Sequence, residues 1–205
     1  MLPPAHTRTL LIYLHGIVPP ERESAIKTNF ETVVALASRR ANVVAMLPRG
    51  KRGLAPRGHE RWWGWPTTGS AYKAHAPALI QSITDKKSKL EAVLGVEFER
   101  VYVAGSSSGA YFAAALALYG GFTADGFGAM SGGAGWKTDE LPRLQPKPFY
   151  VGYGKHDRVA GGARKLAELL RGAGWPVKVA EHPVGHGAKQ IYLDEAFSFW
   201  REHAN

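Results

Sequence analysis

The chain of 205 residues contains no cysteine, which removes a disulfide framework, a thiolate metal site and a cysteine nucleophile together. It also has no uninterrupted run of about 18 apolar residues, so no membrane-spanning helix is expected. Met1 to Thr9 lacks the long apolar centre of a signal peptide, and the chain reads as soluble. A cysteine-free composition suits the cytoplasm and, with a removed leader, the periplasm or a secreted state equally well. Neither an RNP-type segment nor zinc-finger spacing is present, and no nucleic-acid partner is expected.

What the chain has in excess is positive charge: 26 Lys and Arg against 17 Asp and Glu give a formal net charge of +9. Such an excess attracts anions at long range, but a solvated basic surface is the first reading of it. The 24 glycines and 13 prolines are spread between apolar runs, which marks them as turns in a loop-rich fold. With 45% hydrophobic residues the chain can build a sizeable core, and its length suits a single domain over 1–205.

Strand and helix patterns alternate along the chain. Thr9 to Leu14, Asn42 to Leu47, Arg100 to Gly105, Ala124 to Met130, Pro148 to Tyr153 and Val177 to His182 are apolar runs of strand length. Helical spacing or an apolar helix occupies Ser24 to Arg40, Ala71 to Leu94, Ser108 to Tyr119, Val159 to Gly172 and Gly187 to His203, and Gly95 is a natural stop for the second. The order predicts an α/β fold: a doubly wound, mostly parallel sheet of about six strands with helices on both faces. Arg49 to Ser70, with five glycines and two prolines, reads as a long loop. Gly132 to Lys147 is too short for a cap domain.

Chemistry concentrates where strands end. Gly105-Ser106-Ser107-Ser108-Gly109 fits G-x-S-x-G, with an apolar strand leading directly in and an apolar helix directly out. Such a turn raises the central serine above the sheet and sets it at a helix N-terminus, where backbone N–H groups favour negative charge. A serine hydroxyl needs a base, and the base needs an orienting acid. Asp157, after the strand 148–153, and His186, after the strand 177–182, supply them in the chain order Ser, acid, His. Among competitors, His182 lies within a strand and His156 beside the acid; Asp125 precedes its strand, Asp139 lies in a short excursion, and Asp194 is inside the last helix. The expected oxyanion donors are the backbone N–H groups of Ser108 and of Ile17, in the Leu14-His15-Gly16-Ile17 turn.

These motifs, LHG at 14–16, GSSSG at 105–109, GKHD at 154–157 and GHG at 185–187, resemble the α/β-hydrolase superfamily over nearly the whole chain. They are most similar to its small dienelactone-hydrolase and carboxylesterase-like members. The resemblance implies hydrolysis of carboxylic esters or related acyl groups through an acyl-enzyme on Ser107, with no metal and no organic cofactor. Two departures narrow it. The antiparallel edge strands of larger members and a lid are not visible, and the familiar dienelactone hydrolases use a cysteine that this chain lacks. A serine esterase is therefore the nearer likeness, with a peptidase, thioesterase or polyester hydrolase sharing the same triad, or a binding module sharing the fold, as alternatives.

The loop Arg49 to Ser70 leaves the same sheet edge and carries Arg49, Lys51, Arg52, Arg57 and Arg61 beside Trp62, Trp63 and Trp65. Two readings apply to it. The tryptophans wall a substrate pocket and the cations draw an anionic or aromatic ester, or the tryptophans pin the loop to the core and the cations face water. Tyr72 and Trp136 are further aromatic candidates to reach that pocket, and neither is assigned to it. Nothing in the sequence reads out an oligomeric state.

Overall fold

The computed structural model describes residues 8–20, 23–133 and 145–204. Its strands are β1 (Thr9–Leu14), β2 (Val44–Met46), β3 (Lys51–Arg52), β4 (Trp63–Gly64), β5 (Arg100–Ser106), β6 (Gly126–Met130), β7 (Phe149–Gly154) and β8 (Val177–His182). Its helices are α1 (Glu23–Ala41), α2 (Gly69–Leu94), α3 (Ser108–Tyr119), α4 (Ala160–Gly172) and α5 (Gln190–Glu202). Six strands pair in parallel in the order β2-β1-β5-β6-β7-β8, and β3 and β4 form a separate antiparallel pair.

Strand alternation sends side chains to opposite faces, and each face has its own helices. Leu10, Ile12 and Leu14 join a core with α2, α3 and α4, while Leu11 and Tyr13 join one with α1 and α5. The central helix α3 is buried along nearly its whole length from Ser108 to Leu118, which is why its sequence shows no polar face. In α4 only Ala163, Leu166, Ala167 and Leu170 and the first-turn Ala160 are buried, a one-sided stripe suited to a surface helix. Helix α5 presents Trp200, whose Nε1–H donates to the Phe127 carbonyl at 3.0 Å. A Cβ at Gly126 would come within 2.7 Å of that indole, so β6 must lack one there.

The register decides where the site forms. Leu14 pairs with Gly105, Ser106 with Met130, Met130 with Gly152 and Gly154 with His182. The loops that follow β1, β5, β6, β7 and β8 therefore leave from one edge, the carboxyl edge at which open α/β sheets bind ligands.

Element limits differ from the sequence reading mainly between residues 49 and 70. The stretch expected as an irregular loop contains the β3–β4 hairpin, and α2 begins at Gly69 with the Thr68 Oγ1 accepting the Ala71 N–H at 3.3 Å. The last helix starts at Gln190 rather than Gly187, which leaves His186 and Gly187 on the preceding loop. Pro77 lies inside α2, and Gly95 ends that helix at φ 65°. No helix among the described residues is long and apolar enough to cross a membrane.

Candidate active site

Ser107 occupies the turn between β5 and α3 at φ 54° and ψ −121°, a left-handed conformation that costs a non-glycine residue about 1–3 kcal/mol. The flanking glycines have a steric reason. A Cβ at Gly109 would lie 2.1 Å from the Leu14 carbonyl oxygen, and one at Gly105 would lie 2.5 Å from the Gly109 backbone. Strand β1 crosses the turn too closely for any side chain at either position. The Ser107 N–H donates to the Met130 carbonyl at 3.0 Å, tying the turn to the end of β6.

Asp157 and His186 meet across the loops that follow β7 and β8. The His186 Nδ1 lies 3.0 Å from both Asp157 carboxylate oxygens. The Asp157 side chain is 1% exposed and that of His186 is 47% exposed, so the acid is buried and the imidazole reaches solvent. Burial works to raise the Asp157 pKa, but the Val159 N–H at 3.0 Å, His186 and the Ser131 hydroxyl outweigh it and hold the carboxyl below the usual range. A carboxylate on Nδ1 fixes the ring so that Nε2 is the nitrogen available as a base. Gly16, Ile17, Phe30, Ser107, His186 and Gly187 line one cleft of about 420 Å³.

The loop after β1 closes the other side of this cleft. His15 is 5% exposed, packed between Phe30 and Trp65. Its Nε2 accepts the Gly50 N–H at 2.9 Å, so the ring proton resides on Nδ1 and is donated to the Gly16 carbonyl. In a trans peptide the Gly16 C=O and the Ile17 N–H point in opposite directions; holding the first orients the second. A Cβ at Gly16 would sit 3.1 Å from the Ser107 Cβ, which shows how closely this loop passes the serine. The sequence reading had the turn but assigned His15 no part in it.

Three tryptophans expected around the pocket take three different places. Trp65 is fully buried, stacked on Phe112 at 5.4 Å between ring centroids, so it is a core residue and the substrate-wall expectation for it is corrected. Trp62 packs on His59 at 4.2 Å, outside the residues lining the Ser107 cleft. Trp63 belongs to the site region: its backbone pairs with Val18, one residue beyond Ile17, through two 3.0 Å hydrogen bonds. Arg49 and Arg52 stand over its ring at 5.0 and 4.7 Å. With His15, Val18, Phe30, Met46 and Arg49 it lines a second cleft of about 300 Å³ that shares Phe30 with the first.

The competing residues have other partners. His182 meets Glu195 at 3.2 Å, Asp194 meets Arg40 at 3.1 Å, and Asp125 accepts the Val101 N–H at 2.8 Å; His156 is exposed. Tyr72 donates to the Gly120 carbonyl at 2.8 Å and lies away from the cleft. Trp136 and Asp139 fall outside the described residues. Among the described residues no group of three or more His, Asp or Glu side chains is placed to hold a metal ion. One neighbour that the sequence reading missed is Ser131, fully buried after β6. Its only signal was a Ser-Gly-Gly stretch following a strand at the carboxyl edge of the sheet.

No protein-family model matches this chain, and no curated protein matches it in sequence. Solved structures do. An esterase named PE8 superposes with a TM-score of 0.70 at 19% identity, covering 99% of this chain and 97% of its own. Arabidopsis thaliana SOBER1 gives 0.69 at 19% identity over 95% and 98%, and a Bacillus cereus carboxylesterase gives 0.68 at 15% identity over 96% and 89%. At these identities the likeness establishes the architecture, the α/β-hydrolase fold, over almost the full length of each chain.

Proposed function

We propose that the protein is a serine hydrolase of carboxylic esters, with Ser107 as nucleophile, His186 as general base and Asp157 as the orienting acid. The observation that carries this reading is that His186, held by Asp157 at 3.0 Å, lines the same cleft as a serine at positive φ at the head of α3. Carboxylesterases and an esterase among the structural neighbours support the ester as substrate class.

In this reading Ser107 Oγ attacks the ester carbonyl as its proton passes to His186 Nε2. The Asp157 carboxylate stabilises the imidazolium so formed. Negative charge developing on the carbonyl oxygen is met by the N–H groups of Ser108 and Ile17. His186 then protonates the leaving alkoxide, and an acyl-enzyme remains on Ser107. Water, deprotonated by the same imidazole, attacks that ester, and the imidazolium returns the proton to Ser107 Oγ as the carboxylic acid leaves.

The open cleft suits small to medium esters. The adjoining cleft beside Trp63 is the place for the remainder of the substrate, and Arg49 and Lys86 on its rim favour an anionic or aromatic group there. A panel of p-nitrophenyl esters of increasing chain length, with and without a terminal carboxylate, tests this. A preference for the anionic members that weakens with salt supports the assignment, and indifference to charge refutes it.

The catalytic proposal is tested by a fluorophosphonate probe and by Ser107→Ala. Stoichiometric labelling at Ser107 is expected, and the variant should lose p-nitrophenyl acetate turnover; an undiminished rate in Ser107→Ala would overturn the proposal.

A further inference from the structure

We infer that Ser131 is a positioning residue that locks the loops carrying Ser107, Asp157 and His186 into one arrangement. The inference rests on the triad reading above and adds a fourth side chain to it.

Ser131 follows β6 with φ 56° and no solvent exposure. A buried polar residue in the left-handed region is unfavourable on two counts, so its surroundings must fix it there. The peptide joining it to Met130 faces both ways: the Met130 carbonyl accepts the Ser107 N–H at 3.0 Å, and the Ser131 N–H donates to the Gly152 carbonyl of β7 at 2.8 Å. Its hydroxyl reaches the third loop, where Oγ accepts the Gly187 N–H at 3.2 Å and lies 3.3 Å from the Gly187 carbonyl. The same hydroxyl stabilises the ionised Asp157 carboxylate. Its single proton goes to the Gly187 carbonyl, so the hydroxyl both accepts from and donates to that one residue.

One residue is thus bonded to the residue after the base, through its own N–H to β7, which leads to the acid, and through the preceding carbonyl to the nucleophile. The next residue continues the pattern, since a Cβ at Gly132 would sit 3.0 Å from the Ser107 carbonyl oxygen. The titratable groups facing the Asp157 carboxylate are His186, Tyr111 of α3 and Tyr192 of α5. Burial raises the Tyr111 hydroxyl and pushes that of Tyr192 up to about 12. Both tyrosines stay neutral through the working range, so a change at Ser131 is felt by the Asp157–His186 pair.

Two substitutions separate the hydroxyl from the backbone. Ser131→Ala keeps the Cβ and removes Oγ, and Ser131→Gly also relieves the positive φ. Without the Ser131 hydroxyl, which helps to hold the Asp157 carboxyl low, the carboxylate becomes more basic and binds the imidazolium more tightly. Both variants should therefore move the His186 imidazole titration, followed by NMR, to higher pH, and the acid limb of kcat/KM should follow it. Fluorophosphonate labelling and kcat should fall by roughly 10- to 100-fold, the size of the two hydrogen bonds to Gly187 that are lost, while KM changes little.

An unmoved His186 titration in the folded variants overturns the inference, and so does a loss of rate that only tracks the unfolded fraction. Should the wild type cleave no ester at all, the catalytic reading fails. The His186 titration still decides the role of Ser131, because it needs no substrate.

Discussion

Replacing Asp157 by Asn tests the acid with almost no change of shape. The amide oxygen can still accept the Val159 N–H now bonded at 3.0 Å, so the loop after β7 keeps its local hydrogen bond. What changes is the face toward His186. A carboxylate offers acceptors on both sides, each oxygen 3.0 Å from Nδ1; an amide turned this way offers N–H. The imidazole then settles with its proton on Nε2, the nitrogen that must be bare to accept the serine proton. The electrostatic loss has a similar size. A unit charge about 4 Å from the imidazolium contributes about 4 kcal/mol at an effective dielectric of 20, which is about a thousandfold in rate. Exposure of His186 reduces that share, and the wrong tautomer adds to it. Asp157→Asn should therefore lower kcat by roughly 10³- to 10⁴-fold with little effect on KM. Residual activity should extend to lower pH, because an imidazole without its carboxylate gives up its proton more readily. Steady-state kinetics across pH on p-nitrophenyl acetate measure both effects. A variant within tenfold of wild type, under conditions where Ser107→Ala is inactive, would remove Asp157 from the mechanism.

Two further outcomes follow from packing. Gly109→Ala places a methyl 2.1 Å from the Leu14 carbonyl and should abolish folding or lower stability by more than about 4 kcal/mol; Gly161→Ala in α4, where a Cβ meets nothing within 4 Å, should be neutral or stabilising by up to about 1 kcal/mol. Urea unfolding distinguishes the two, and equal effects would contradict the crossing of β1 over the turn. Trp65→Ala should lose about 3–5 kcal/mol of stability at near-normal KM, whereas Trp63→Ala should raise KM for larger esters and spare stability. The reverse pattern would return Trp65 to the substrate pocket.

The fold was legible because each main-sheet strand is a short apolar run bounded by glycine, proline or polar residues, and a buried parallel sheet demands such runs. Ser108–Tyr119, the helix with the least amphipathic sequence, has the same limits in the structure as in the sequence reading, because burial on nearly every side leaves no polar face to blur them. The hairpin in 49–70 was not legible. Its strands have two residues each, too few for an alternating pattern, and β4 is pinned by pairing with Val18, about 45 positions away in sequence. Trp63 and Trp65 look alike as letters, and only tertiary placement puts one on a cleft and the other against Phe112. The candidate Ser, Asp and His were visible because each follows a strand. Ser131 was not, because its meaning lies in a backbone angle and in partners on two other loops.

The contacts around the serine suggest that backbone groups, more than side chains, set the geometry of the candidate site. Leu14 passes against Gly105 and Gly109, Gly16 against Ser107, and Met130 holds the Ser107 N–H. Ser108 tests that view directly. Its proposed contribution is an N–H at the head of α3, while its hydroxyl is buried and finds no hydrogen-bond partner among the described residues. Ser108→Ala keeps the N–H and deletes an unsatisfied polar group that carries a desolvation cost of about 1–3 kcal/mol. Activity within about threefold of wild type is therefore expected, with stability unchanged or raised by up to about 1 kcal/mol. The helix also gains, since alanine is a better helix former than serine. Matched measurements of kcat and urea midpoint suffice. A large fall in kcat at unchanged stability would mean that the hydroxyl itself takes part, and the oxyanion assignment would then have to be rebuilt around a side-chain donor.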